Sequence, residues 1–138
     1  MNKDNKDKLY LLWTTGDPVT AEQMVMMYAI NSKLHGWWED VTVIVWGAAA
    51  SALIESLALR LKVEIAQEAG VHFSACISCA NNLGITKELE ALGVEVIRWG
   101  EKLTKLIKDR DYRKTLRTHQ GAGKKQHRHQ SDVHSRYC

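Results

Sequence analysis

Residues Val41-Thr42-Val43-Ile44-Val45-Trp46 form an unbroken, β-branched run. The run lacks the alternation of a strand with one wet face and marks a strand buried on both, as in a parallel sheet covered by helices. Parallel neighbours need crossovers, and the rest of the chain supplies them. Leu9 to Trp13, Val71 to Ala75 and Val94 to Arg98 are further short apolar runs, with helix-period stretches between them. Gly36, Gly70 and Gly93 each close one helical stretch ahead of the next strand, as left-handed caps do. A last helix spans Glu101 to Lys108, and Tyr112 to Arg117 is a candidate short edge strand. This order predicts an α/β fold, a three-layer α/β/α sandwich on a mainly parallel sheet.

Local signals refine the plan. Thr14-Thr15-Gly16-Asp17-Pro18 ends the first strand; Asp17 is a good N-cap and Pro18, the only proline, suits the first helical position. The helix that follows runs to about His35. Its apolar residues, among them Val19, Met24, Val25, Met27, Ile30 and Leu34, surround most of its circumference, so it is expected to be covered on more than one side. A subunit interface is one way to cover it, and at least one of the adjacent Trp37 and Trp38 is expected to meet a partner subunit. After Gly47, the residues Ile54, Leu57, Leu61, Ile65 and Ala69 recur at helical spacing. A short helix follows Cys76 to about Asn82, and Thr86 caps another that ends near Leu92.

Three regions result: a polar N-terminal segment (1–8), one α/β domain (9–117), and a basic, His-rich tail (118–138). The tail has too few apolar residues to join a core and reads as disordered. The net charge of +3 belongs to this end: from Tyr112 onward seven lysines and arginines face a single acid, Asp132, so residues 1–111 sum to −3. No nucleic-acid binding is therefore expected of the folded domain. The opening residues hold no apolar signal core, and no run approaches the roughly 18 apolar residues of a membrane helix. Three cysteines, two of them three apart, make no disulfide framework. A soluble, cytoplasmic protein is expected, without a membrane partner.

The chemistry is expected at Cys76 and Cys79. Ligands of open parallel sheets bind beyond the carboxyl ends of the strands. Those ends are Thr14-Thr15-Gly16-Asp17, Trp46-Gly47, Ala75-Cys76 and Trp99-Gly100, so Thr15, Gly16, Asp17 and Gly47 are candidate ligand-binding residues beside the cysteines. A thiol between a strand end and a helix start is favoured as thiolate, the reactive form, and Cys76, nearest both, is expected to be the more reactive. The plain alternative is that both thiols are small buried hydrophobes. Structural zinc would need four ligands and no second pair exists; a thioredoxin-like dithiol would need a later cis-proline. His72 is read as pointing opposite to Ser74, toward a covering helix, and the tail's His127, His129, His134 and Cys138 as solvated. Thr14-Thr15-Gly16 has something of a flavin phosphate loop, but Asp17-Pro18 puts a negative charge and a missing N–H where donors are wanted. No cofactor and no metal are expected. Sulfur transfer, which needs one exposed thiolate able to hold a persulfide and gains a release route from a second thiol, fits the pair best.

Together these residues resemble the DsrE-like family, small proteins of sulfur metabolism. The likeness is carried by Leu9 to Pro18 with the Met-rich helix, Gly36-Trp37-Trp38, Val43-Ile44-Val45-Trp46-Gly47-Ala48, and Ser74-Ala75-Cys76-Ile77-Ser78-Cys79-Ala80 ahead of Leu83-Gly84. It covers residues 9 to about 117. The resemblance implies a five-stranded sheet of order 4-3-2-1-5, a homotrimer or homohexamer, and a persulfide-carrying cysteine, which maps to Cys76. Cys79 stands where sulfur-relay members often have alanine.

The sequence thus leads to a sulfur-handling protein that takes sulfur from a donor protein onto Cys76, with Cys79 able to resolve it, and passes it to an acceptor. No obvious general base accompanies the thiols, which suits a persulfide carrier or sulfurtransferase better than a hydrolase. The alternative is a non-catalytic oligomeric module that binds a small ligand in a strand-edge pocket lined by Cys76.

Overall fold

In the computed structural model, which describes residues 7–109, four parallel strands stand side by side in the order β1-β2-β3-β4. They are β1 (Lys8–Trp13), β2 (Asp40–Val45), β3 (His72–Cys76) and β4 (Glu95–Ile97). The register pairs Trp13 with Val45, Val45 with Ala75, and Cys76 with Ile97. The expected parallel α/β architecture is thus present over four strands. The fifth strand read at Tyr112 to Arg117, and the tail, lie outside the described residues.

When parallel strands follow one another in chain order, right-handed crossovers carry every connecting helix to the same face. The core agrees. Leu11, Trp13, Val41, Val43, Val45, Val71, Phe73 and Ala75, all of one parity, pack with Ala21, Met26, Ala29, Leu53, Leu59, Val63, Ala66 and Leu89 of the helices. The other parity forms the second face, where Ile44, Ser74 and Cys76 are also buried.

The first crossover is α1 (Pro18–Thr20), a π-helical turn set (Ala21–Met26), and α2 (Met27–Leu34). Asp17 caps it as the sequence suggests, accepting the Thr20 N–H at 2.9 Å and the Thr20 hydroxyl at 2.8 Å. Ala21, Val25, Met26 and Ala29 turn inward while Val19, Met24, Met27 and Leu34 stay exposed. Trp37 is exposed and stacked on His35 at 5.2 Å, whereas Trp38 is half-buried and its indole N–H donates to the Tyr28 hydroxyl at 3.2 Å.

The stretch after Gly47 is two helices, α3 (Ala48–Glu55) and α4 (Leu57–Ala69). Ser56 adopts an extended backbone between them and its hydroxyl accepts the Leu59 N–H at 3.1 Å. Arg60 donates to the Ile54 carbonyl across the same break. The periodic residues Leu57, Leu61 and Ile65 lie on the outer face of α4; Leu59, Val63 and Ala66 are the ones that pack. Both stripes are apolar, and periodicity alone does not say which one meets the sheet.

α5 (Ile77–Leu83) starts directly from β3, and α6 (Thr86–Ala91) leads to β4. The described residues divide into two compact units, one ending at Ile97 and one beginning at Arg98. The second contains α7 (Gly100–Asp109), whose Leu103 N–H donates to the Trp99 carbonyl at 2.7 Å and whose Lys102 ammonium lies 5.0 Å from the Trp99 ring centroid.

Candidate functional site

The site forms where two neighbouring strands end. Because Val45 pairs with Ala75, the next residues, Trp46 just past the end of β2 and Cys76 at the end of β3, stand side by side at the sheet's carboxyl edge. Cys76 is both the last residue of β3 and the N-cap of α5, with extended dihedrals that turn the chain directly into the helix. Cys79 lies one turn further on, and the two thiols are hydrogen-bonded to each other.

Their surroundings differ. Cys76 is 2% exposed, while Cys79 is half-buried and reaches solvent. Cys79 also receives hydrogen bonds from the Gly47 backbone N–H and the Trp46 indole N–H. Desolvation pushes the Cys79 thiol up, the Gly47 N–H opposes it, the charge and hydrogen bond of Cys76 push it further up, and the Trp46 N–H again opposes. The net direction is upward, so Cys79 is held mainly as a thiol at neutral pH. Cys76, expected from the sequence to be the more reactive thiol, is thus the more buried of the pair.

Gly47 supplies one donor through a conformation that needs glycine, φ 67° and ψ −134°. Trp46 is fixed at both ends: its backbone N–H donates to the Trp13 carbonyl at 3.0 Å, continuing the ladder, while its indole serves Cys79. The first loop lies close by. A Cβ on Gly16 would stand 3.4 Å from that of Ala48, so the loop runs tightly against the start of α3. Thr15 accepts the Asp17 N–H at 3.0 Å. The Asp17 carboxylate, committed to Thr20, is held below its ordinary pKa by the Thr20 backbone N–H and then its hydroxyl. Of the residues expected from the sequence, Gly47 therefore joins Cys76 and Cys79 directly, Gly16 adjoins through Ala48, and Thr15 and Asp17 shape their own loop.

Two features escaped the sequence reading. Trp46 looked like the last apolar residue of a strand; its position before a glycine at the sheet edge was the available signal. The second is a polar cluster on the other sheet face, where Glu95 Oε1 accepts the Ser74 hydroxyl at 2.9 Å and lies 3.1 Å from His72 Nε2. His72 and Ser74 thus share a face, correcting the reading that set them opposite: residues two apart on a strand point the same way. Among the described residues, no group of three or more His, Cys, Asp or Glu side chains is arranged to hold a metal ion, and no helix is long and apolar enough to cross a membrane.

Neither a family model nor a curated protein matches this chain. A solved structure of a conserved protein of unknown function from Bacteroides thetaiotaomicron is similar to it, with 33% sequence identity and a TM-score of 0.75. The likeness covers 77% of this chain and 91% of that one.

Proposed function

We propose, for a chain that belongs to the same family as this conserved Bacteroides protein, a sulfur-handling role in which the Cys76–Cys79 pair carries sulfur as a persulfide between a donor and an acceptor protein. The carrying observation is that two thiols are in contact at the sheet's carboxyl edge while only Cys79 reaches solvent. The resemblance to the DsrE-like family belongs to this proposal, with one change of roles. Burial gives first contact to Cys79, and Cys76 waits behind it.

The chemistry is a thiol–persulfide exchange. The Cys79 thiolate attacks the outer sulfur of a donor persulfide, a new S–S bond forms, the donor's S–S bond breaks, and the donor leaves as its thiol. An acceptor nucleophile then takes the outer sulfur and returns Cys79 to the thiolate. With no acceptor present, the Cys76 thiolate attacks the inner sulfur, expels hydrosulfide and leaves a Cys76–Cys79 disulfide.

A homo-oligomer, a trimer or hexamer, is part of the same reading, as is a cytoplasmic setting that keeps both thiols reduced. The exposed outer stripe of α4 (Leu57 61%, Leu61 50%, Ile65 50%) and the outward Val19, Met24 and Leu34 support assembly. A monomer mass by light scattering at micromolar concentration would remove that part.

Mass spectrometry after incubation with a persulfide donor tests the core claim. The Cys76→Ala variant is expected to gain about 32 Da, one sulfur atom, and hold it. Wild type should gain it transiently, and Cys79→Ala should gain little. Loading of Cys79→Ala but not Cys76→Ala would return the carrier role to Cys76. No added sulfur in any of the three would leave the small-ligand-binding module as the better reading.

A further inference from the structure

We propose that the Trp46 indole N–H and the Gly47 backbone N–H form a leaving-group site that holds the sulfur of Cys79 in its anionic form while a bound sulfur atom departs. The inference rests on the carrier reading for its biological use, but the interaction with the thiolate stands apart from it.

Geometry leads to it. The parallel register sets the end of β2 beside the end of β3, so two N–H groups from consecutive residues converge on one sulfur. Neither donor is free to wander. Trp46 is 7% exposed and anchored to Trp13 through its backbone, and the Gly47 dihedrals lie in a region closed to other residues. Two rigid donors on a partly desolvated atom make the arrangement by which proteins stabilise charge that develops during a reaction.

Which step benefits follows from where charge develops. During loading, Cys79 begins as the anion and ends as the neutral inner sulfur of a persulfide. Donors that stabilise the anion enlarge the thiolate fraction but blunt its attack, and the two effects partly cancel. During release the order is reversed. Cyanide, a simple acceptor, attacks the outer sulfur; a carbon–sulfur bond forms, the S–S bond breaks, and thiocyanate departs. The bonding pair stays on Cys79, which is the leaving group and takes up the proton that the persulfide carried. Both N–H groups then strengthen their hold as the charge arrives, so the pair accelerates delivery more than uptake.

The test uses full-length protein in a Cys76→Ala background, with Trp46 replaced site-specifically by benzothienylalanine, which keeps the bicyclic shape and exchanges the N–H for sulfur. Trp46→Phe serves as a second variant. The first measurement is the rate of iodoacetamide alkylation of Cys79 against pH. Loss of the N–H should move the midpoint to higher pH, a shift that mere loosening of the packing would not produce; an unmoved midpoint in both variants overturns the proposal. In the second measurement, each protein is loaded from a persulfide donor and thiocyanate release by cyanide is timed. Release should slow by about tenfold, the effect of one hydrogen bond to a developing charge, while loading above the midpoint changes less. Equal release rates overturn the leaving-group role. If no variant accepts sulfur, the carrier reading and the leaving-group role fall together, and the alkylation midpoint still decides whether the two N–H groups hold the thiolate.

Discussion

Cys76 and Cys79 are hydrogen-bonded to each other through their side chains, yet only Cys79 opens to solvent. The contact makes each thiol part of the other's environment. Native-state alkylation with mapping by mass spectrometry should label Cys79 first. Cys76 should follow at least about tenfold more slowly, at a rate set by local opening. The Cys76→Ala substitution removes both the charge and the hydrogen bond by which Cys76 raises its neighbour, so the Cys79 midpoint should fall in that variant. Equal labelling of both cysteines in native protein would show that the burial of Cys76 does not protect it.

The upward shift of Cys79 also has a consequence for stability. A thiol whose folded pKa lies above its unfolded value binds its proton more tightly in the fold. That contribution is complete below the ordinary thiol value, 9.0, and is lost as pH rises through the higher folded value. Urea unfolding at pH 8 and pH 10 should therefore show wild type losing more stability than Cys79→Ala over the same interval. A parallel decline in the two proteins would mean that the fold does not resist ionisation of Cys79.

Where chemistry is local, the sequence is a sufficient guide. Asp17-Pro18 marks a helix start in the sequence, and Asp17 does cap it, accepting the Thr20 N–H and hydroxyl. Cys76 falls on the carboxyl edge because an apolar run ends there, and a parallel sheet has only one such edge. The site's finer character is set by register, a relation between strands far apart in the chain. Trp46 reaches Cys79 because Val45 pairs with Ala75, and His72 meets Glu95 because Ser74 pairs with Glu95. Likewise, α4 has apolar stripes on two sides, and only the sheet beneath it selects Leu59 and Val63 over Leu57 and Leu61. Ser56 divides a continuous helical pattern by offering its hydroxyl to Leu59, a choice that competes closely with an unbroken helix.

Gly47 has a backbone requirement that its neighbours do not relieve. At φ 67° and ψ −134° a side chain is strained whatever the space, and the nearest obstacle to a Cβ, the Thr14 carbonyl oxygen, is as far as 4.0 Å. Gly47→Ala should thus destabilise through conformation rather than collision, by about 1–3 kcal/mol in urea unfolding. A variant that relaxes by turning the 46–47 peptide also withdraws an N–H from Cys79, so its alkylation midpoint should rise. Wild-type stability in Gly47→Ala would show that the conformation costs little.

Ser32 offers a change in the opposite direction. It lies on α2, fully buried, and its hydroxyl has no hydrogen-bond partner among the described residues. A buried hydroxyl without a partner has given up its bonds to water for nothing in return, a cost of about 1–3 kcal/mol. Serine is also a weaker helix former than alanine, by a few tenths of a kcal/mol, because its hydroxyl competes for backbone groups. Ser32→Ala removes both penalties and leaves a void no larger than the lost oxygen. The variant should unfold at higher urea concentration with an unchanged slope, a gain of about 1 kcal/mol after allowance for the lost contacts. A loss of stability of that size would instead mean that the Ser32 hydroxyl is satisfied in solution, by water held between α2 and its neighbours.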